Sequence, residues 1–232
     1  MKAMILAAGK GERMRPLTLT TPKPLIEVHG NPLIVHHILN LKAAGIEDIV
    51  INVSWLAEKI VSSLKDGRQF GVNITYSQEP TPLETAGGIR QALPLLISAN
   101  GALTGNNEQP FIVVNGDIYT DFNFATLRNM KLKHAAHVVL ADNPPHHPEG
   151  DFCLTDGWLN NTGDNRLTFC GISLLSRKII EDYDPQEQKL GPLIRAAADK
   201  GQVSAEHHRG IWHDIGTPER LQTAINSTKQ NL

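Results

Sequence analysis

Residues 6–18, LAAGKGERMRPLT, place two glycines and three cations within one short stretch. Gly9 and Gly11 let the backbone fold tightly and turn N–H groups outward, which suits phosphate oxygens. Lys10, Arg13 and Arg15 set positive charge beside those amides. A nucleoside triphosphate carries roughly four negative charges, so amide donors plus cations are what such a ligand requires. A strand-to-helix turn with solvated charges has the same composition, and the loop alone leaves both readings open. Other phosphate signatures fail. There is no GxxxxGK[ST], and a dinucleotide GxGxxG needs glycine at position 14, where Met14 stands. Glu27 has the spacing of a ribose-binding acid but precedes the first long helix. Further along, Lys23 lies between Pro22 and Pro24. Prolines stiffen the backbone and fix where the lysine points, although most lysines are simply solvated.

These residues must be positioned by a scaffold, and the hydrophobic pattern predicts one. Residues 3–8 read as a buried strand ending in glycines. Residues 31–44 read as a helix capped by Asn31, with Pro32 in its first turn and Gly45 closing it. Strands at 47–53, 71–77 and 111–117 alternate with helices at 56–67 and 86–98. Strands are expected again at 136–142 and 167–176, and helices at 189–201 and 217–227, with loops at 143–151 and 156–166. Residues 99–109 form a polar insertion. The alternation predicts an α/β fold, a single Rossmann-like three-layer domain over 1–232 with a mostly parallel central sheet. In such sheets ligands bind beyond the carboxyl ends of the strands, where the glycine loop falls.

Composition narrows the partners. The chain has 232 residues, 41% hydrophobic and 20% charged, with 22 Lys plus Arg against 24 Asp plus Glu. That is globular composition with net charge −2 and no basic block, so neither nucleic acid nor an anionic membrane is an expected partner. The apolar run AMILAA is too short for a signal-peptide core, and no stretch approaches a membrane span. A cytoplasmic protein, monomeric or weakly homo-oligomeric, is expected. Cys153 and Cys170 match no disulfide or zinc spacing and read as small buried hydrophobes. The histidine pairs 36–37, 146–147 and 207–208 invite a zinc reading, but adjacent residues do not share a face. His36 and His37 are expected on a helix surface, and His146 and His147 at the rim of a pocket.

Several separated segments, in order, resemble the sugar-phosphate nucleotidyltransferases. They are the glycine loop with Arg13 and Pro16-Leu17-Thr18, then Pro22-Lys23-Pro24-Leu25, PLETAGGI at 82–89, VNGDIYTDF at 114–122 and WHDIGTPERL at 212–221. The resemblance implies the nucleotide-diphospho-sugar transferase fold. The nucleotide part would span about 1–120 and the sugar part about 121–232. It implies transfer of a nucleotidyl group to a sugar-1-phosphate with release of pyrophosphate, and Mg2+ held by Asp117 and Asp214, each following a strand, with parallel pairing bringing the strand ends together. Arg13, Lys23 and Asp117 become the catalytic residues. Leu6, Ala7, Ala8, Gly9, Gly11, Glu12, Arg13, Lys23, Glu79, Leu83, Glu84, Gly87 and Asn115 would bind the nucleotide. Asn115, Gly150, Asp151 and Gly171 would face the sugar. Narrower likenesses in the loops, DNPPHHPEGDF among them, imply UTP and N-acetylmuramate α-1-phosphate as substrates, in peptidoglycan recycling. Glucose-1-phosphate uridylyl- or thymidylyl transfer and mannose-1-phosphate guanylyl transfer are the alternatives. An inactive nucleotide-sensing subunit is disfavoured because Arg13, Lys23, Asp117 and Asp214 are all present. Two departures stand out. Glu84 occupies a position where many members have glycine. The frequent Glu-Lys-Pro motif is replaced by GDNRLTF at 163–169, leaving the sugar phosphate without its lysine; Arg166 is the nearby substitute.

Overall fold

A computed structural model describes residues 1–97 and 109–227. The predicted insertion at 99–109 lies almost wholly outside the described residues. Strands are β1 Ala3–Leu6, β2 Glu27–Val28, β3 Asn31–Pro32, β4 Asp48–Val53, β5 Asn73–Gln78, β6 Phe111–Asn115, β7 Ile118–Thr120, β8 Ala136–Ala141, β9 Phe152–Thr155, β10 Trp158–Asn160, β11 Arg166–Leu175, β12 Val203–His208 and β13 Trp212–Asp214. Helices are α1 Leu33–Ala43, α2 Ala57–Leu64, α3 Glu84–Leu96, α4 Ala125–Asn129, α5 Lys178–Glu181, α6 Leu190–Ala198 and α7 Pro218–Ser227.

The main sheet has nine strands in the order β5-β4-β1-β6-β11-β8-β12-β10-β9. From β5 to β6 it is parallel, as the alternation of strands and helices requires. Beyond β6 it is mixed, because β11 and β10 run against their neighbours. β9 also pairs back on β11, so that β11, β8, β12, β10 and β9 close on themselves and leave no free edge there. The apolar strands are buried on both faces, which is why they read as continuous runs. Ile5, Ile112 and Val114 join the core beneath α1 and α2. Met4, Phe111 and Val113 join the opposite core beneath α3 and α6. Three layers result.

Several boundaries differ from the sequence reading. Asn31 caps nothing; it pairs with Val28 in a two-residue ribbon, and Pro32 precedes α1. α3 begins at Glu84 rather than 86, because the Gln188 carbonyl accepts from the amides of Ala86 and Gly87 and stabilises an earlier start. The expected loop at 156–166 contains β10, which is too short to show alternation.

His37 is buried rather than on a helix surface. Burial, and secondarily neighbouring His36, pushes its pKa down to about 4; the Ile118 backbone and Asp117 pull the other way. The native chain therefore keeps His37 neutral while the unfolded chain protonates it below its ordinary 6.5. Stability is full above pH 6.5 and falls by about 3 kcal/mol as pH drops towards 4. Urea unfolding at pH 7 and 4.5 should show this loss, and His37→Leu should shrink it. An equal loss in the variant would exclude His37 as its source.

Candidate active site

β1 lies between β4 and β6, and Leu6 pairs with Asn52 on one side and Asn115 on the other. Their carboxyl ends open into a cavity of about 800 Å3. Its floor and walls include Leu6, Ala7, Ala8, Gly9, Gly11, Glu12, Arg13 and Lys23. Glu79, Leu83, Glu84, Asn115 and Asp117 line it too. Gly9 has nothing within 4 Å of where a Cβ would stand. Gly11 is at φ 62° and accepts a 2.8 Å hydrogen bond from the Thr18 hydroxyl at its carbonyl. A Cβ there would lie 2.9 Å from the Thr18 methyl, so glycine is required by both conformation and space. Arg15 is turned to the surface and pairs with Glu12 at 3.3 Å.

A polar chain absent from the sequence reading ties the glycine loop to the 79–84 segment. The Ala7 amide donates to Asn52 Oδ1 at 2.8 Å, and Asn52 Nδ2 donates to Glu79 Oε1 at 2.7 Å. Glu79 Oε2 accepts from the Leu83 amide at 2.9 Å. Asn52 and Glu79 are both buried. Glu79 was expected to contact the nucleotide; it lines the cavity, and each of its oxygens also accepts a hydrogen bond that holds the segment. Gly87 is not at the cavity, since its amide donates to the Gln188 carbonyl at 3.1 Å. Glu84 is exposed to the cavity with its backbone at φ 58°, the left-handed region glycine prefers.

A second cavity, about 410 Å3, adjoins the first and shares Arg13, Asn115 and Asp117 with it. Here the short β7–β13 ribbon does the positioning. It is antiparallel, not parallel as expected: Asp214 pairs with Ile118, and the Ile215 amide donates to the Asp117 carbonyl at 2.8 Å. An antiparallel register sets the end of β13 beside the start of β7, which brings Asp117 and Asp214 to one cavity from distant parts of the chain. Lys23, 10% exposed at its side chain, places Nζ 2.6 Å from Asp117 Oδ2. Asp214 pairs with Arg220 at 2.6 Å through Oδ2 and with His146 at 3.0 Å through Oδ1.

The sugar-side expectations divide. Asp151 lines the second cavity, with its oxygens engaged by His147 at 3.1 Å and the Phe169 amide at 2.9 Å. Gly171 sits at φ 79° in a bulge of β11, and a Cβ there would lie 2.6 Å from Asn115 Nδ2. Its missing side chain makes room for Asn115 first, and through it for the cavity. Trp212 Nε1 donates to the Cys170 carbonyl at 2.9 Å and pins that bulge. Gly150 is buried against Asn143 and Arg166, away from the cavity.

Asp117 and Asp214 line one cavity, and among the described residues no group of three or more His, Cys, Asp or Glu is placed to hold a metal. Hard oxygen donors that leave most positions to water and phosphate fit Mg2+ and do not fit a zinc cage.

Residues 2–154 match the family model described as nucleotidyl transferase. The chain belongs to the nucleotidyl transferase family. N-acetylmuramate alpha-1-phosphate uridylyltransferase of Neisseria meningitidis serogroup B is 47% identical, over 97% of this chain and 96% of that one. Mannose-1-phosphate guanyltransferase of Aspergillus fumigatus is 34% identical over 96% of this chain, which spans 63% of that longer protein. Among solved nucleotidyl transferase structures, a Bacillus anthracis protein assigned as a glucose-1-phosphate thymidylyltransferase is 27% identical with a TM-score of 0.77, covering 97% of this chain and 94% of its own. HddC from Yersinia pseudotuberculosis, 23% identical with a TM-score of 0.72 and covering 98% and 99%, shares the fold. The nucleotide-diphospho-sugar transferase fold and the sugar-1-phosphate nucleotidyltransferase activity thus agree with the order of motifs along the chain.

Proposed function

We propose that the chain transfers a uridylyl group from UTP to N-acetylmuramate α-1-phosphate, yielding UDP-N-acetylmuramic acid and pyrophosphate. The observation that carries this reading is the meeting of two cavities at Arg13, Asn115 and Asp117. One is bounded by a glycine loop and the other by the aspartate ribbon. The 47% identity to the Neisseria enzyme supports the choice of base and sugar. Residues up to about 120 take the nucleotide and those beyond take the sugar phosphate, with Arg13, Asn115, Asp117 and Gly216 crossing the division.

In this reading a sugar phosphate oxygen attacks the α-phosphorus. The new O–P bond forms as the bond to the β-phosphate oxygen breaks, and the electron pair leaves with pyrophosphate. The nucleophile is already anionic, so no general base is required. The obstacle is repulsion between two polyanions, and catalysis is positioning plus charge neutralisation. The loop of residues 8–12 cradles the phosphates, and Arg13 holds the departing pyrophosphate. Lys23 meets the charge developing on the α-phosphate. Glu84 faces the base, whose N–H a carboxylate can accept. Asn115 stands between nucleotide and sugar. Asp117 and Asp214 would hold Mg2+, which supplies Lewis-acid polarisation of phosphate oxygens when bound.

A pyrophosphate-release screen tests this. It crosses four nucleoside triphosphates with N-acetylmuramate-, glucose-, N-acetylglucosamine- and mannose-1-phosphate. UTP with N-acetylmuramate α-1-phosphate should be the best pair, and EDTA should abolish turnover until Mg2+ is restored. A different best pair would replace the substrate assignment. Full activity in EDTA would remove the metal.

A further inference from the structure

The second cavity is rich in acid for a site meant to take an anion. It is lined by Asp117, Asp151 and Asp214, and of its lining residues Arg13 and Arg220 carry fixed positive charge. A phosphate monoester carries about −1.5 to −2 at pH 7 and cannot enter such a cavity without a cation to receive it. Arg166, the substitute suggested by the sequence, is spent elsewhere. Its Nη2 donates to the Asp151 carbonyl at 2.6 Å, its Nε is buried without a partner among the described residues, and it does not line the cavity.

We propose that Arg220 receives the phosphate of the sugar-1-phosphate. This rests on the reading of the second cavity as the sugar-phosphate side. Arg220 lies in the first turn of α7, where the helix dipole disfavours a cation, so helix stability does not explain it. Its side chain is 23% exposed, held by one short ion pair to Asp214. The planar guanidinium has donors enough to keep that contact and bind a phosphate oxygen pair as well. Arg13 stands close by. A Cβ on Gly216 would stand 2.7 Å from Arg220 Nη1 and 3.4 Å from Arg13 Nη2, so the two groups flank one small volume. Arg13 lines both cavities and Arg220 only the second. The division of labour follows: Arg13 serves the triphosphate, Arg220 the acceptor phosphate.

The test measures steady-state kinetics with N-acetylmuramate α-1-phosphate and UTP. Arg220→Met should raise KM for the sugar phosphate by about 10-fold or more, with KM for UTP within about twofold, and Arg220→Lys should fall between it and the wild type. An unchanged sugar-phosphate KM, with the loss confined to kcat or to Mg2+ half-saturation, would mean that Arg220 only holds Asp214 and would overturn the proposal. Chemical modification of the wild-type protein reads the same contact without a variant. N-acetylmuramate α-1-phosphate should slow phenylglyoxal modification of Arg220, followed by peptide mass spectrometry, while phosphate-free N-acetylmuramate should not. Equal protection, or none, would also overturn it. A wild-type protein that turns over no sugar-1-phosphate would instead sink the reading of the cavity itself.

Discussion

Lys23→Ala should lower kcat by about 10²- to 10³-fold while the protein still folds, the cost of losing one preorganised charge from a phosphoryl-transfer site. The ammonium is nearly buried and lies 2.6 Å from Asp117, so its position is set before substrate arrives. Asp117 is 41% exposed at its side chain, and water can solvate it once the lysine is gone. The stability loss should therefore be small, about 1 kcal/mol by the scale of half-exposed ion pairs. Lys23→Arg should not rescue, because a planar fork cannot replace a point charge held between two prolines. Turnover and thermal melting of the same preparations check both parts. Near-normal kcat in Lys23→Ala would remove this residue from the mechanism.

The two aspartates should behave differently from each other in stability and alike in activity. Asp117→Asn and Asp214→Asn are each expected to reduce kcat by at least about 10²-fold and to raise the Mg2+ concentration needed for half-maximal rate. Asp117→Asn strands the Lys23 ammonium, 10% exposed, against a neutral amide, and should cost about 1–3 kcal/mol. Asp214→Asn strands Arg220 and His146, which are 23% and 32% exposed and better solvated, so it should cost less. Urea unfolding gives the ranking. The double variant Lys23→Ala/Asp117→Asn should be little slower than the worse single one, since groups acting as one unit are not additive. Normal turnover in both aspartate variants would exclude the ribbon as the metal site.

Much of the first cavity's lining was legible in the linear chain because it comes from a few short runs, each with a local signal. The glycine loop follows β1 and the 79–84 segment follows β5, both in the parallel half, and parallel strands present their carboxyl ends on one side. The errors lie where local pattern is weak. β10 is too short to alternate, nothing local sets the direction in which β13 pairs with β7, and His37 looks like any helix residue until packing covers it. Asn52 carried one available signal, a polar residue one short of the end of an apolar strand.

Taken alone, the order of residues determined the α/β class and placed the glycine turn and its cations after β1. Those follow from periodicity, from turn chemistry and from charge, all of which act over a few neighbouring positions. Tertiary structure decided what depends on register between distant segments. It made the aspartate ribbon antiparallel, gave the Glu79 carboxylate to Asn52 and Leu83, reserved the space at Gly171 for Asn115, and brought Arg220 rather than Arg166 to the second cavity. A hydrogen-bond ladder and a close-packed core fix those neighbours through contacts far apart in the chain, and no local window of residues encodes them.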